Sequence, residues 1–230
     1  MFLSKLVLNR GNANVRRDLA RPYEMHRTLM NAYGQARVEN RCDLLFRVEP
    51  WRGGATVVLV QTREDPQGWT QLPPGYLLHP CESKCVDLAP VAGQRLRFRL
   101  RANPTKRVAS GNERLGASMA GKRIGLISEA EQVRWLLRKA EAAGFHIPGE
   151  WLKANRPETD EPVLIPNFRV EVIPEGRARN AKPGHGGEFL AVRFEGTLVV
   201  TDAEKFRAAL ASGIGSAKAF GFGLLSVGPA

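Results

Sequence analysis

The chain is short of several things, and each shortage limits what it can be. It has three cysteines, Cys42, Cys81 and Cys85, in 230 residues. So sparse and odd a set offers no disulfide framework and suits a reducing compartment. No run approaches the ~20 apolar residues of a membrane span, and the apolar start gives way at once to Asn9-Arg10, so neither anchor nor secretory leader is expected. The expectation is a cytoplasmic protein with no membrane partner. Acidic residues are few, 23 Asp and Glu against 34 Lys and Arg, and there is no D-x-D pair to hold magnesium. His79, Cys81 and Cys85 lie near one another, but Pro80-Cys81-Glu82-Ser83-Lys84-Cys85 is one residue too long for a deaminase-type P-C-x-x-C and lacks an H-x-E partner. No metal site and no cofactor are expected.

What the chain has in excess is positive charge. The formal balance is +11 and the isoelectric point about 10.1, which favours a polyanionic partner, nucleic acid first. The charge is clustered: Arg95 to Arg123 holds nine Lys and Arg against the single acid Glu113. The length suits two domains of about 100 residues.

Residues 2 to 8 read as a buried strand and Asn9 to Arg21 as a polar connection. Pro22 suits a helix start, and Met25, Leu29, Ala32 and Ala36 make an apolar stripe at helical spacing, predicting a helix to Val38. Its opposite face gathers Tyr23, His26, Arg27, Met30 and Gly34. Strands are predicted at Leu44 to Glu49 and Thr56 to Gln61, around the turn Pro50 to Gly54, and again at Tyr76 to His79 beyond a short, Pro- and Gly-bounded segment. The order β-α-β-β, something short, then β is the ferredoxin-like plan with an indistinct second helix. A composition change near Pro90-Val91-Ala92-Gly93 divides the chain into domains 1–92 and 93–230.

The second half repeats the plan. Arg95-Leu96-Arg97-Phe98-Arg99-Leu100-Arg101 alternates strictly, so Leu96, Phe98 and Leu100 face a core while the arginines form a comb on the other side, matched to a phosphate backbone. Asn103, Lys106 and Arg107 follow, and a basic segment runs to Arg123. Ser128 with Glu131 reads as a capping box for a helix carrying Val133, Leu136, Leu137 and Ala140, stopped by Gly144. Strands are predicted at Val163 to Ile173 and Phe189 to Val200, joined by a basic, glycine-rich loop with Arg177, Arg179, Lys182 and His185. Thr201 with Glu204 caps a last helix, and the final strand is Phe222 to Val227. The fold class is therefore α+β, with two tandem ferredoxin-like (RRM-like) domains.

Between that last helix and strand lie Gly213, Gly215, Lys218, Gly221 and Gly223. Glycine lets backbone N–H groups face a ligand, so the loop is a candidate seat for phosphate oxygens, with Lys218 as the point charge. It matches neither GxxxxGK[ST] nor GxGxxG, and serves equally well as a tight helix-to-strand connection. The comb, the Arg177–Lys182 loop and Lys218 together suit an RNA backbone. RNA can be cut without metal when its own 2′-hydroxyl attacks phosphorus, given a general base, a general acid and positive charge. His26 titrates near neutrality, its place in the first helical turn disfavours its protonated form and leaves anion-binding N–H groups nearby, Tyr23 can move the other proton, and Arg27 can neutralise phosphate. A solvated helix face with a chance histidine is the plainer alternative.

Pro22-Tyr23-Glu24-Met25-His26-Arg27-Thr28-Leu29, Phe98-Arg99-Leu100-Arg101-Ala102-Asn103-Pro104-Thr105-Lys106, and Gly213-Ile214-Gly215-x-x-Lys218-x-x-Gly221-x-Gly223-Leu224-Leu225 together resemble the CasE family of CRISPR repeat endoribonucleases in the RAMP superfamily. The resemblance runs from end to end. It implies cleavage of precursor CRISPR RNA at the base of each repeat stem-loop, a 2′,3′-cyclic phosphate, retention of the product and membership of the Cascade complex. The isolated chain is expected to be a monomer. Tyr23 and His26 align with the family's catalytic pair and Arg27 with a basic active-site residue. Where close relatives can carry a lysine, this chain has Asn31, which shifts the burden of charge to Arg27 or another base. A non-cleaving RNA-binding subunit on the same fold is the alternative.

Overall fold

A computed structural model describes residues 1–33, 44–50, 54–108, 121–156, 159–180 and 187–230. The chain starts with β1 (Phe2–Leu8), whose alternate residues Ser4, Leu6 and Leu8 are fully buried. Asn9 to Arg21, expected as a polar connection, is instead largely a helix, α1 (Ala13–Ala20), capped by the Asn12 side chain accepting from the Asn14 N–H at 2.8 Å. No apolar stripe announces it, because its buried residues are only Val15 and Asp18. Asp18 is held by Arg17 at 2.7 Å and by the Tyr76 hydroxyl, which donates to it at 2.8 Å. After one residue comes α2 (Pro22–Tyr33), with Met25, Leu29 and Ala32 in the core. The expected extension to Val38, with Gly34 and Ala36, lies outside the described residues, as does Cys42.

β2 (Leu44–Pro50), β3 (Thr56–Thr62) and β4 (Glu82–Cys85) complete an antiparallel sheet in the order β2-β3-β1-β4. The strand expected at Tyr76 to His79 is corrected. Tyr76 is drawn inward to Asp18 and Leu77 makes only an isolated bridge to Leu8, while β4 consists of four exposed residues. An edge strand needs no apolar face, so hydrophobic alternation cannot reveal it. In place of a second helix there is a single 3-10 turn, Gln67–Trp69, whose buried Trp69 packs on Tyr33 at 6.2 Å.

The second half contains β5 (Arg95–Ala102), β6 (Thr105–Arg107), β7 (Arg123–Gly125), α3 (Glu129–Ala142), β8 (Phe145–His146), β9 (Gly149–Arg156), β10 (Thr159–Phe168), β11 (Val170–Asn180), β12 (Gly187–Val200), α4 (Ala203–Ser212) and β13 (Leu225–Pro229). The main sheet runs β11-β12-β5-β13, with β8 beside β12. In both sheets the first strand of the unit lies between its third and fourth, so the chain is an α+β protein of two tandem ferredoxin-like domains. Ser128 caps α3 as expected, accepting from the Glu131 N–H. Four expectations are corrected. The run Val163 to Ile173 breaks at Arg169 into β10, which pairs with β9, and β11, which pairs with β12. The basic loop after Pro174 is a strand as far as Asn180, because its ladder with β12 continues past a bulge at Glu175; Arg177 and Arg179 lie on that strand. Lys182 and His185 fall outside the described residues. Asp202, not Thr201, caps α4, its carboxylate accepting from the Glu204 and Lys205 N–H groups at 3.1 and 3.0 Å, and the last strand starts at Leu225, not Phe222. The basic segment after β5 closes into the β6–β7 hairpin.

Candidate active site at the domain seam

α2 turns its apolar side to the first core, and its other side carries Tyr23, His26 and Arg27, of which Tyr23 meets the second domain at Phe220. His26 stacks on Phe46 of β2 with ring centroids 6.3 Å apart and 19° between planes. Its Nδ1 is buried and has no hydrogen-bond partner. An imidazolium needs partners for two N–H groups, so burial pushes the His26 pKa below its ordinary value. That cause differs from the helix-terminus effect expected from sequence. The first-turn N–H groups of Glu24 and Met25 both donate to the Arg21 carbonyl and so are not available to an anion. Arg27, on the exposed side of the same turn, pairs with Glu24 at 3.0 Å.

Facing this helix is the glycine-rich loop, which forms a single 3-10 turn, Lys218–Phe220, between α4 and β13. The Phe220 ring stacks on Tyr23 at 5.9 Å and meets Phe189 at 4.6 Å; Phe189 in turn touches Phe222 at 6.1 Å. Gly221, at φ +79°, passes so close to Phe46 that a Cβ there would lie 3.1 Å from its Cε2. Gly213, at φ +74°, would set a Cβ 2.8 Å from both Leu45 and the Gly223 carbonyl. These glycines are required by close approach of the two domains. The Lys218 ammonium donates to the Ser212 carbonyl at 2.5 Å, on the last turn of α4, where a cation is favourable.

The arginine comb divides in two. Arg95 and Arg97 are exposed. Arg99 and Arg101 belong to a chain of alternating charges that begins in the first domain. Arg47 of β2, 2 % exposed, pairs with Glu49 at 2.6 Å; Glu49 pairs with Arg99 at 2.7 Å; Arg99 pairs with Glu195 at 2.8 Å. Glu195 pairs with Arg193, Arg193 with Glu175 at 2.9 Å, and Glu175 with Arg101 at 2.6 Å. Arg101 ends the chain 4.4 Å above the Phe222 ring, and its carbonyl accepts from Gly223 N–H at 2.8 Å. Arg47 also donates to the Leu224 carbonyl and the Ser226 hydroxyl, both at 2.9 Å. Seven charged groups thus tie β2 to the second sheet and to the base of the glycine loop.

A groove of about 530 Å³ opens beside this seam, lined in part by Asn103, Thr105, Arg123, Arg177, Phe189 and Ser216. Thr105, Arg123 and Ser216 also line a second depression of about 450 Å³, with Lys106, Arg107, Arg138, Lys139 and Gly215. The Asn103 side chain is buried and its Oδ1 has no partner. Lys106 pairs with Glu131 at 2.8 Å and Arg177 with Glu188 at 3.2 Å, both on the surface, where such pairs exchange readily for another anion. Among the described residues there is no cluster of three or more His, Cys, Asp or Glu that could hold a metal ion, and no helix long and apolar enough to cross a membrane.

A family model described as CRISPR associated protein matches residues 1–229. The chain is 44% identical to the CRISPR-associated endoribonuclease Cse3 of Thermus thermophilus over 239 residues, covering all of both proteins. The chain belongs to the CasE/Cse3 family. The CRISPR system Cascade subunit CasE of Escherichia coli (strain K12) is 31% identical, again over the whole of both chains. A solved Cse3 bound to a 19-nucleotide RNA superimposes with a TM-score of 0.80 at 40% identity, covering all of each chain.

Within this CasE/Cse3 chain, the structure brings Tyr23, His26, Gly213 and Gly221 to one seam. It gathers Asn103, Lys106, Arg107, Arg177 and Gly215 around the adjoining grooves. Arg97 stands apart, lining a shallow depression between the domains with Arg47, Glu49 and Arg99. Phe46, Phe220, Arg123 and the α3 pair Arg138 and Lys139 are additions that sequence reasoning missed. One signal was available for β2: Leu44-Leu45-Phe46 is apolar without alternation, the mark of a strand covered on both faces, and the structure buries Leu44 to Arg47 accordingly.

Proposed function

We propose that this protein is an endoribonuclease that binds the stem-loop of a CRISPR repeat, cuts the precursor RNA without a metal ion and keeps the product as a subunit of a Cascade complex. The endoribonuclease name and the RNA-bound structure of the Thermus relative support the RNA-cleaving part, and the name of the Escherichia coli relative supports the assembly. The single observation that carries the chemistry is the half-buried imidazole of His26, whose buried Nδ1 has no hydrogen-bond partner, on the same helical turn as Tyr23.

In this reading neutral His26 takes the proton of the 2′-hydroxyl. The freed oxygen attacks the adjacent phosphorus, the bond to the 5′-oxygen breaks, and the Tyr23 hydroxyl delivers a proton to that leaving oxygen. The products are a 2′,3′-cyclic phosphate and a 5′-hydroxyl. Arg27 exchanges Glu24 for the phosphate and offsets its developing charge. Residues 1–92 supply the reacting groups. Residues 93–230 supply the RNA-binding surface, with Arg97, Arg107, Arg177, Arg179 and Lys182 as its basic contacts to the backbone.

A non-cleaving RNA-binding role has its own support, since Arg27 already has a carboxylate partner and Asn31 carries no charge. One experiment separates the two. Repeat RNA is incubated in EDTA with wild-type protein and with His26→Ala, alongside RNA bearing a 2′-deoxy group at the scissile nucleotide. Cleavage in EDTA that is lost with either change is the expected result. Binding without cleavage would leave the non-cleaving reading, and cutting of the deoxy substrate would overturn the 2′-hydroxyl mechanism.

A further inference from the structure

Tyr23 and His26 share a helix, and among the described residues His26 is seated on a ring of its own domain. Its platform, Phe46, is fully buried in the first core. The platform for Tyr23 comes from the other domain: Phe220, stacked at 5.9 Å with 30° between planes, is itself backed by Phe189 at 4.6 Å. Phe220 is tightly fixed. Its N–H donates to the Ala217 carbonyl at 2.9 Å, Gly221 N–H donates to the Lys218 carbonyl at 3.2 Å, and Ala217 and Gly221 on either side hold left-handed φ values of +63° and +79°. The Lys218 ammonium ties the turn to the end of α4, and the loop's far side hangs on Arg101 through Gly223.

Side chains on a helix occupy a few discrete staggered states. A flat ring packed against one of them selects it, and offset stacking adds to the selection. We infer that Phe220 is a positioning residue: it fixes the Tyr23 ring in the orientation that presents the hydroxyl to the scissile phosphate, so the glycine-rich loop acts on catalysis through an aromatic contact across the seam. This rests on the proposed role of Tyr23. It gives the loop a function separate from RNA backbone binding, and explains why so constrained a turn ends in an aromatic residue that is not part of either hydrophobic core.

The test is a double-mutant cycle in single-turnover cleavage of repeat RNA at saturating protein, with RNA affinity and thermal unfolding measured on the same proteins. Phe220→Ala and the bulkier Phe220→Leu are each expected to slow cleavage by roughly 10- to 100-fold, the scale of a misplaced reacting group, with RNA affinity within about 3-fold of wild type. Phe220→Tyr keeps the ring and is expected to restore the rate. In a Tyr23→Phe background, Phe220→Leu is expected to add little further loss. Equal slowing in both backgrounds, a wild-type rate for Phe220→Leu, or a loss explained by weakened RNA affinity would each overturn the inference. Failure of the underlying reading looks different, because Tyr23→Phe alone would then cleave at the wild-type rate.

Discussion

The two domains share one strand order and are built unequally upon it. The first is the plainer copy: one helix pair, a 3-10 turn where a second crossover helix belongs, and an edge strand, β4, without a buried residue. It holds Tyr23 and His26, the reacting groups of the proposed function. The second is elaborated by the β6–β7 hairpin, the β9–β10 ribbon and a long β11–β12 pair, and it holds most of the basic groove. The helical crossover between the first and second sheet strands of each unit makes the contrast concrete. In the first domain it presents Tyr23 and His26; in the second, α3 presents Arg138 and Lys139. One strand order thus carries two different helical crossovers, one with an imidazole whose Nδ1 is buried and the other with a cationic face on a groove.

The largest expected effect would break that division at its catalytic side. His26→Ala is expected to slow single-turnover cleavage by about 10²- to 10⁴-fold, the usual contribution of one acid–base group, while gel-shift affinity for the repeat stays near wild type. Comparable losses of rate and affinity would mean that the first domain also carries binding.

Next comes the seam. Glu49→Ala leaves Arg47 buried without its carboxylate, and breaking such a pair costs about 3–5 kcal/mol. Urea unfolding is expected to show that loss; a loss below about 1 kcal/mol would mean the charge chain contributes little to holding the domains together. Replacing Arg138 and Lys139 by alanine is expected to weaken RNA binding and lower the slope of log affinity against log salt by roughly 0.7–0.9 per phosphate contact removed. The same measurement on Arg97→Ala tests the exposed end of the comb, and an unchanged slope for all three would place the RNA elsewhere.

Smaller still is the pH effect. Burial holds His26 neutral to lower pH than a free imidazole, so the acid limb of the cleavage profile is expected below pH 6.5. The unfolded chain takes up that proton first, so stability also falls as pH drops from 6.5 through the folded value. An acid limb above 6.5 would contradict the buried seat. The smallest effect is that of Lys218→Ala, about 0.3–1 kcal/mol from the lost contact at the end of α4, with RNA affinity little changed. A clear affinity loss would support Lys218 as a contact to the RNA backbone.

Much of the plan was legible because turn residues and alternation mark its strands: β5 reads correctly from Leu96, Phe98 and Leu100 alone. What escaped had no local pattern to show. α1 buries a single apolar residue beside Asp18, and β4 is polar throughout. Helical spacing brought Tyr23 and His26 together on paper. Their platforms, Phe46 and Phe220, lie in other elements and meet them only through folding. The comb was visible as a strand face, but its partners Glu49, Glu175 and Glu195 stand singly in the sequence. Nothing local therefore marked Arg99 and Arg101 as spoken for by carboxylates of the protein itself.

The Arg47 bond to the Leu224 carbonyl spans 177 positions of chain. Contacts so distant in sequence form late, because the intervening chain must first be brought together. During synthesis the first domain emerges first, with its guanidinium still hydrated. The aromatic cradle of Tyr23 is likewise built from residues made near the end. The seam is therefore a completion step: a half-made chain has Tyr23 and His26 in sequence but lacks the ring that Tyr23 stacks on, and on the proposed reading it gains its activity only when the last strands have closed on β2.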